Sequence, residues 1–164
     1  MARRMLAPIT LSLTIAALAA SAIPASAATP FNASFSGKSG GCEPGYFRCA
    51  PGRVRGFGEA RWNYGFDIVA QDSRSCYEVE TRARIRLTDG SQLDLEGKGQ
   101  ICFPGNSDNA PGSFVSNGNP FRAKDQWKVV DGTGRFTGRT GSGTSDVHSA
   151  GSHADADYNG TLIP

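Results

Sequence analysis

Few side chains in the sequence are spaced for chemistry. The most suggestive are two histidines set among aspartates near the C-terminal end: Asp146, His148, His153, Asp155 and Asp157. If Ala150-Gly151 forms a two-residue loop, His148 lies opposite His153 and Asp146 opposite Asp155, with Asp157 on the same face. Facing aspartates repel. A protonated histidine pair or a bound divalent cation would relieve the repulsion, so this hairpin is a candidate pH-sensitive or metal-binding patch. A three-residue loop, Ser149-Ala150-Gly151, instead sets Val147 opposite His153 and dissolves the cluster. The two-residue register keeps Val147, Ala154, Ala156 and Tyr158 on one face and is preferred. A solvated polar face is the plain alternative to a metal site.

Trp62, Tyr64, Phe66 and Trp127 form a second candidate, as rings that line a cavity for a small hydrophobic ligand or simply fill a core. The Tyr64 hydroxyl needs a polar partner if it is buried. Gly132-Thr133-Gly134 lacks the third glycine, the Lys-Ser/Thr pair and the following helix of a phosphate-binding loop. No Ser-His-Asp arrangement is suggested by spacing, and the strand registers derived below send nearly all carboxylates outward, away from any lumen. Asn32-Ala33-Ser34 and Asn159-Gly160-Thr161 match the glycosylation sequon, which matters only in a eukaryotic secretory pathway.

Any such site depends on the strands that carry it, and the stretch from Cys76 to Cys102 fixes its own pairing. Tyr77, Val79, Thr81, Ala83, Ile85 and Leu87 alternate with Glu78, Glu80, Arg82, Arg84 and Arg86, the period of a strand with one buried face. Beyond Thr88-Asp89-Gly90, Leu93, Leu95 and Ile101 resume the apolar parity against Asp94, Glu96, Lys98 and Gln100. A three-residue loop with a left-handed Gly90 closes the hairpin with Leu87 opposite Ser91. Arg84 then faces Asp94, Arg82 faces Glu96, Glu80 faces Lys98, and Cys76 meets Cys102. A slip of one residue would set Arg84 against an inward leucine. The register therefore predicts a Cys76–Cys102 disulfide and leaves Cys42 and Cys49 to each other, across a turn-rich loop. Zinc would need two tightly spaced ligand pairs, and one such pair is present.

Met1 to Ala27 reads as a secretory signal peptide: Arg3 and Arg4, an apolar run from Leu6 to Ala20, then Ala25-Ser26-Ala27. The run is too short and too rich in Ala and Ser for a membrane anchor. Its removal lowers the 17 basic residues to 15, equal to the 15 acidic ones, so a basic nucleic-acid surface is not supported. An exported chain meets an oxidising compartment, in keeping with two disulfides. The remaining residues 28–164 suit a single domain.

Within it, Phe31–Phe35 reads as a short first strand. Arg53–Val69 reads as one long alternation, with a bend or bulge expected near Asn63–Gly65. Pro104–Gly112 is an exposed loop, and Ser113–Ser116 is either a short strand or an extended stretch. A strand begins at Ala123, and Thr140–His148 and His153–Leu162 form the last two. No segment after the leader has helical periodicity. The fold class is therefore all-β, a small closed antiparallel barrel of about eight strands, since closure removes edge strands.

The run Trp127-Lys-Val-Val-Asp-Gly-Thr-Gly-Arg-Phe-Thr-Gly138 resembles the Gly-Gly-Thr-Gly-Arg-Phe-x-Gly stretch of the allene oxide cyclase barrel-like and dirigent-like superfamily, with Asp131 in place of the first glycine. Secreted bacterial members share the order of leader, Gly-rich strands, this motif and a closing hairpin. The resemblance implies the barrel. No positions match the cyclase's substrate-contacting residues or the dirigent acidic residues, so neither activity is carried over. The expected function is a secreted, disulfide-stabilised binding or structural module without catalysis or cofactor. The alternative is a barrel enzyme that isomerises or cyclises a small hydrophobic substrate in its lumen. A polar residue pointing into an enclosed cavity would favour the enzyme, and a lumen plugged by rings would favour the module.

Overall fold

The computed structural model describes residues 27–73, 75–104 and 120–164. The leader as far as Ser26, most of the Pro104–Gly112 loop and the Ser113–Ser116 stretch lie outside the described residues. The strands are β1 (Thr29–Lys38), β2 (Arg48–Val54), β3 (Gly58–Gln71), β4 (Cys76–Leu87), β5 (Gln92–Cys102), β6 (Phe121–Gly132), β7 (Thr140–Ala150) and β8 (His153–Ile163). Each pairs antiparallel with its sequence neighbours, and β8 returns to β1 from Thr29 opposite Leu162 to Lys38 opposite His153. The ring closes, so no strand is left with a bare edge.

The β4–β5 register is the one the charges and the glycine corner imply. Cys76 lies opposite Cys102 and Arg84 opposite Asp94, and Gly90 has φ +87°. Both disulfides are present, Cys42–Cys49 and Cys76–Cys102. Two of the three expected charge pairs form as drawn, Arg84–Asp94 at 2.8 Å and Glu80–Lys98 at 2.9 Å. Arg82 instead turns away from Glu96 to Asp67 of β3, and Glu96 reaches Lys128 of β6 at 3.8 Å. A central strand offers its charges a partner on either side.

Two expectations are corrected. The alternation from Arg53 is not one strand, because β2 ends at Val54, the chain turns through Arg55–Phe57, and Val54 pairs with Gly58. A three-residue turn leaves the inward parity unbroken, so the pattern runs through it; Gly56, at φ +77°, marks the corner. The bulge on β3 falls between Ile68 and Ala70 rather than near Asn63–Gly65.

The loop from Ser39 to Phe47 folds over the outside of β3 and β4. The Glu43 backbone N–H donates to Asn63 Oδ1 at 3.0 Å, the Glu43 carboxylate holds Arg84 at 3.0 Å and Arg86 at 3.3 Å, and Arg82 donates to the Gly45 carbonyl at 2.9 Å. This strap explains why Asn63, an outward position, is fully buried. At one end of the barrel, Gly134–Phe136 makes a short 3-10 turn whose Phe136 is fully buried and stacks on Phe57 at 4.8 Å. Arg135 donates to the Phe57 and Gly56 carbonyls there. The glycine-rich motif is thus a stopper holding the β2–β3 turn over the barrel end.

Replacing both Cys76 and Cys102 by alanine is expected to lower the unfolding free energy by about 3 kcal/mol, mainly through the unfolded chain. The β-sheet circular dichroism should be retained, and urea denaturation measures the loss.

Candidate functional site in the barrel interior

The sequence places Trp62, Tyr64, Phe66 and Trp127 on inward parities, and the structure buries all four. They fill the interior rather than line a space. Trp62 stacks on Tyr64 at 5.5 Å and on Phe35 at 6.0 Å, Tyr64 stacks on Phe121 at 6.4 Å, and Trp127 meets Phe31 edge-on at 5.5 Å. Room for the Trp127 indole comes from missing side chains across the wall. A Cβ on Gly143 or Gly160 would stand 2.6 Å from its Cζ2.

Through these rings runs a polar chain centred on Asp125 of β6, whose side chain points inward and is 4% exposed. The Tyr64 hydroxyl donates to Asp125 Oδ2 at 3.1 Å and the Ser145 hydroxyl donates to the same oxygen at 3.2 Å. The Tyr158 hydroxyl of β8 lies in the same buried cluster. Trp62 Nε1 donates to that hydroxyl at 2.9 Å. These bonds tie β3, β6, β7 and β8 together inside the ring. Asp125 Oδ1 has no partner and is sealed from solvent. It lies where Gly99 has no side chain, since a Cβ there would sit 2.6 Å away.

Burial dominates the titration of these groups. It pushes the Asp125 carboxyl up to about 6, against the opposing effect of the hydrogen bonds from Tyr64, Ser145 and Thr81. Tyr64 is raised well above the usual phenol range, first by burial and then by the neighbouring Asp125. Tyr158 is raised by burial as well. A carboxyl that titrates close to neutrality is suited to take or give a proton.

Asp125 is the exception to the expectation that carboxylates face outward, and its signal was in the sequence. It shares the parity of Ala123, Trp127 and Val129. Arg48, the first residue of β2, is a second inward ionisable group; it lies opposite Tyr64 and is 6% exposed. Placing it in the cysteine loop hid its parity.

The histidine–aspartate hairpin has neither expected register. Ala150 pairs with His153, His148 with Asp155 and Asp146 with Asp157, leaving Gly151-Ser152 as the two-residue loop. Gly151 takes the first loop position at φ +58°, which Ala150 would occupy only with strain. His148 and His153 are therefore not opposite each other, nor are Asp146 and Asp155. His153 Nε2 lies 3.2 Å from Asp155 Oδ1 and 3.3 Å from Ser36 Oγ, while Lys124 of β6 approaches Asp146 at 3.8 Å. A cation from the neighbouring strand, Lys124, absent from the isolated hairpin picture, stands beside one of the facing aspartates. Among the described residues, no group of three or more His, Cys, Asp or Glu side chains is arranged to hold a metal ion.

On the outside, a groove of about 800 Å³ crosses β3 to β7, edged by Asp67, Glu80, Arg82, Lys98 and Lys128. Its floor is the outer face of strands whose inner faces carry Thr81, Gly97 and Trp127. Its charges are largely spent on one another through the Arg82–Asp67, Glu80–Lys98 and Glu96–Lys128 pairs.

The geometry defines a closed eight-stranded antiparallel barrel with a ring-filled interior and, among the described residues, one buried carboxyl. Compared with known proteins, the chain matches no family model, no curated protein and no solved structure.

Because the folded state holds the Asp125 carboxyl at about 6, above its ordinary 3.8, the fold favours the protonated form. The associated stability is fully present below about pH 4 and is lost as pH rises through 6, for a total of about 3 kcal/mol. Asp125→Asn is expected to flatten this dependence and to make the protein more stable than wild type at pH 7.5. Denaturation curves at pH 4.5 and 7.5 check it; a slope unchanged in the variant would assign the pH dependence elsewhere.

Proposed function

We propose that the protein is an exported, disulfide-braced β-barrel that acts as a binding or structural module and not as a catalyst. The observation that supports this reading most is the filled interior: Trp62, Tyr64, Phe66 and Trp127 pack on one another and on Phe31, Phe35 and Phe121. Export is supported by the leader-like N-terminus and by two disulfides, which persist in oxidising compartments. Among the described residues no helix is long and apolar enough to cross a membrane. The kinship to the allene oxide cyclase barrel-like and dirigent-like superfamily stays part of this proposal, resting on the motif around Gly132–Gly138 and on the barrel it caps.

A second reading draws on Asp125. A buried acid titrating close to neutrality, beside a tyrosine and amid aromatic rings, is what an isomerase or cyclase of a small hydrophobic substrate would use as its proton donor. The two readings differ in whether a neutral apolar molecule can enter.

In the module reading, a neutral apolar fluorophore such as N-phenyl-1-naphthylamine leaves the emission of Trp62 and Trp127 unchanged, and acrylamide quenches them weakly. Uptake of one fluorophore per chain with loss of tryptophan emission would reverse the preference in favour of the enzyme.

A further inference from the structure

A buried cation with no anion beside it among the described residues stands out in the interior. Arg48 projects from the start of β2 into the barrel end where β6 begins and β7 finishes. Its Nε donates to Ser149 Oγ at 2.7 Å and its Nη1 donates to the Phe47 carbonyl at 2.9 Å. The guanidinium lies over the Phe121 ring, 5.6 Å from the centroid. Nη2 has no partner and is sealed from solvent. Among the described residues, no carboxylate stands within ion-pair distance of it. Both hydrogen bonds the guanidinium makes go to neutral acceptors, so among the described residues its charge is left without a counter-charge.

Burying an unpaired charge costs several kcal/mol, and an arginine cannot shed its proton to escape that cost. A ring face and two neutral acceptors offset part of it. A ligand anion would offset the rest.

From this we propose that Arg48 is the anchor of a ligand site at this end of the barrel, and that the ligand is an apolar molecule bearing a single carboxylate. The inference rests on the reading of the protein as a binding module. One free nitrogen and one uncompensated positive charge match a monoanion, whereas a dianion would leave a net negative charge buried. The surroundings select the rest of the molecule. Phe121 packs against Phe66 at 5.8 Å and Phe103 at 6.1 Å, and Phe66 against Phe47 at 5.6 Å. These rings favour a hydrocarbon body over a hydrated inorganic ion. Ser149, itself fully buried, holds the guanidinium plane in place. Because Nη2 is sealed, the carboxylate reaches it as the rings part, and association is slow compared with binding to an open pocket.

The test is thermal unfolding of the purified protein with decanoate, acetate, decanol or inorganic phosphate, run on wild type, Arg48→Met and Arg48→Lys. Decanoate is expected to raise the midpoint in a concentration-dependent way, acetate to do so weakly, and decanol and phosphate not at all. Arg48→Met, which removes the unpaired charge, should be at least as stable as wild type without ligand and should bind decanoate at least about tenfold more weakly. Arg48→Lys keeps the charge but loses the fork, and should retain part of the shift; it serves if the methionine variant misfolds. Equal shifts in wild type and Arg48→Met, no shift with decanoate, or a phosphate shift matching that of decanoate would each overturn the proposal. Failure of decanoate alone leaves the module reading standing. Stabilisation by decanol as strong as by decanoate, with altered tryptophan emission, would count against both.

Discussion

Closure of the ring by β1 on β8 is the constraint from which the rest follows. Once eight strands share one hydrogen-bonded circuit, every second residue of each must enter a common interior. Side chains there are chosen by parity before they are chosen by polarity. Aromatic residues on β1, β3, β6 and β8 supply the volume, and glycines on facing strands make room for them, as Gly143 and Gly160 do for Trp127. The same parity carries Asp125 and Arg48 inside, where each is held by neutral groups and, among the described residues, neither forms an ion pair.

Those two residues set the electrostatic character of the core. Asp125 can shed its charge by taking up a proton as pH falls through about 6, and the Tyr64 and Ser145 hydroxyls donate to one of its oxygens. Arg48 has no such recourse. The interior is therefore asymmetric along its axis. One end is closed by the Phe136 turn, the middle carries an acid that can become neutral, and the other end carries a cation that cannot.

How much of this was legible in the sequence depended on how local the determining contact was. The β4–β5 hairpin could be read to the residue because charge pairs, a left-handed Gly90 and two cysteines all demanded one register. The β2–β3 turn was invisible to periodicity, since three residues return the chain with its parity unchanged. The last hairpin was misread by two residues because Gly151 could serve as either first or second residue of a tight turn. The lysine that approaches Asp146, Lys124, comes from another strand. Asp125 is legible by parity, one step from Trp127 on the same face, but its acidic type argues for an outward position, and the two signals conflict. The strap from Ser39 to Phe47 is held by tertiary contacts to Asn63, Arg84 and Arg86, which no local pattern announces.

The seam between β1 and β8 also governs the order of assembly. All other pairings join strands adjacent in the chain, so seven hairpins form by short-range search. Phe31 and Gly160, by contrast, must find each other across almost the whole polypeptide, the slowest kind of encounter in loop-closure terms. Until the final strand arrives, the nascent sheet is a curled ribbon with two live margins. A chain interrupted before β8 would keep those margins and tend to zip onto its neighbours.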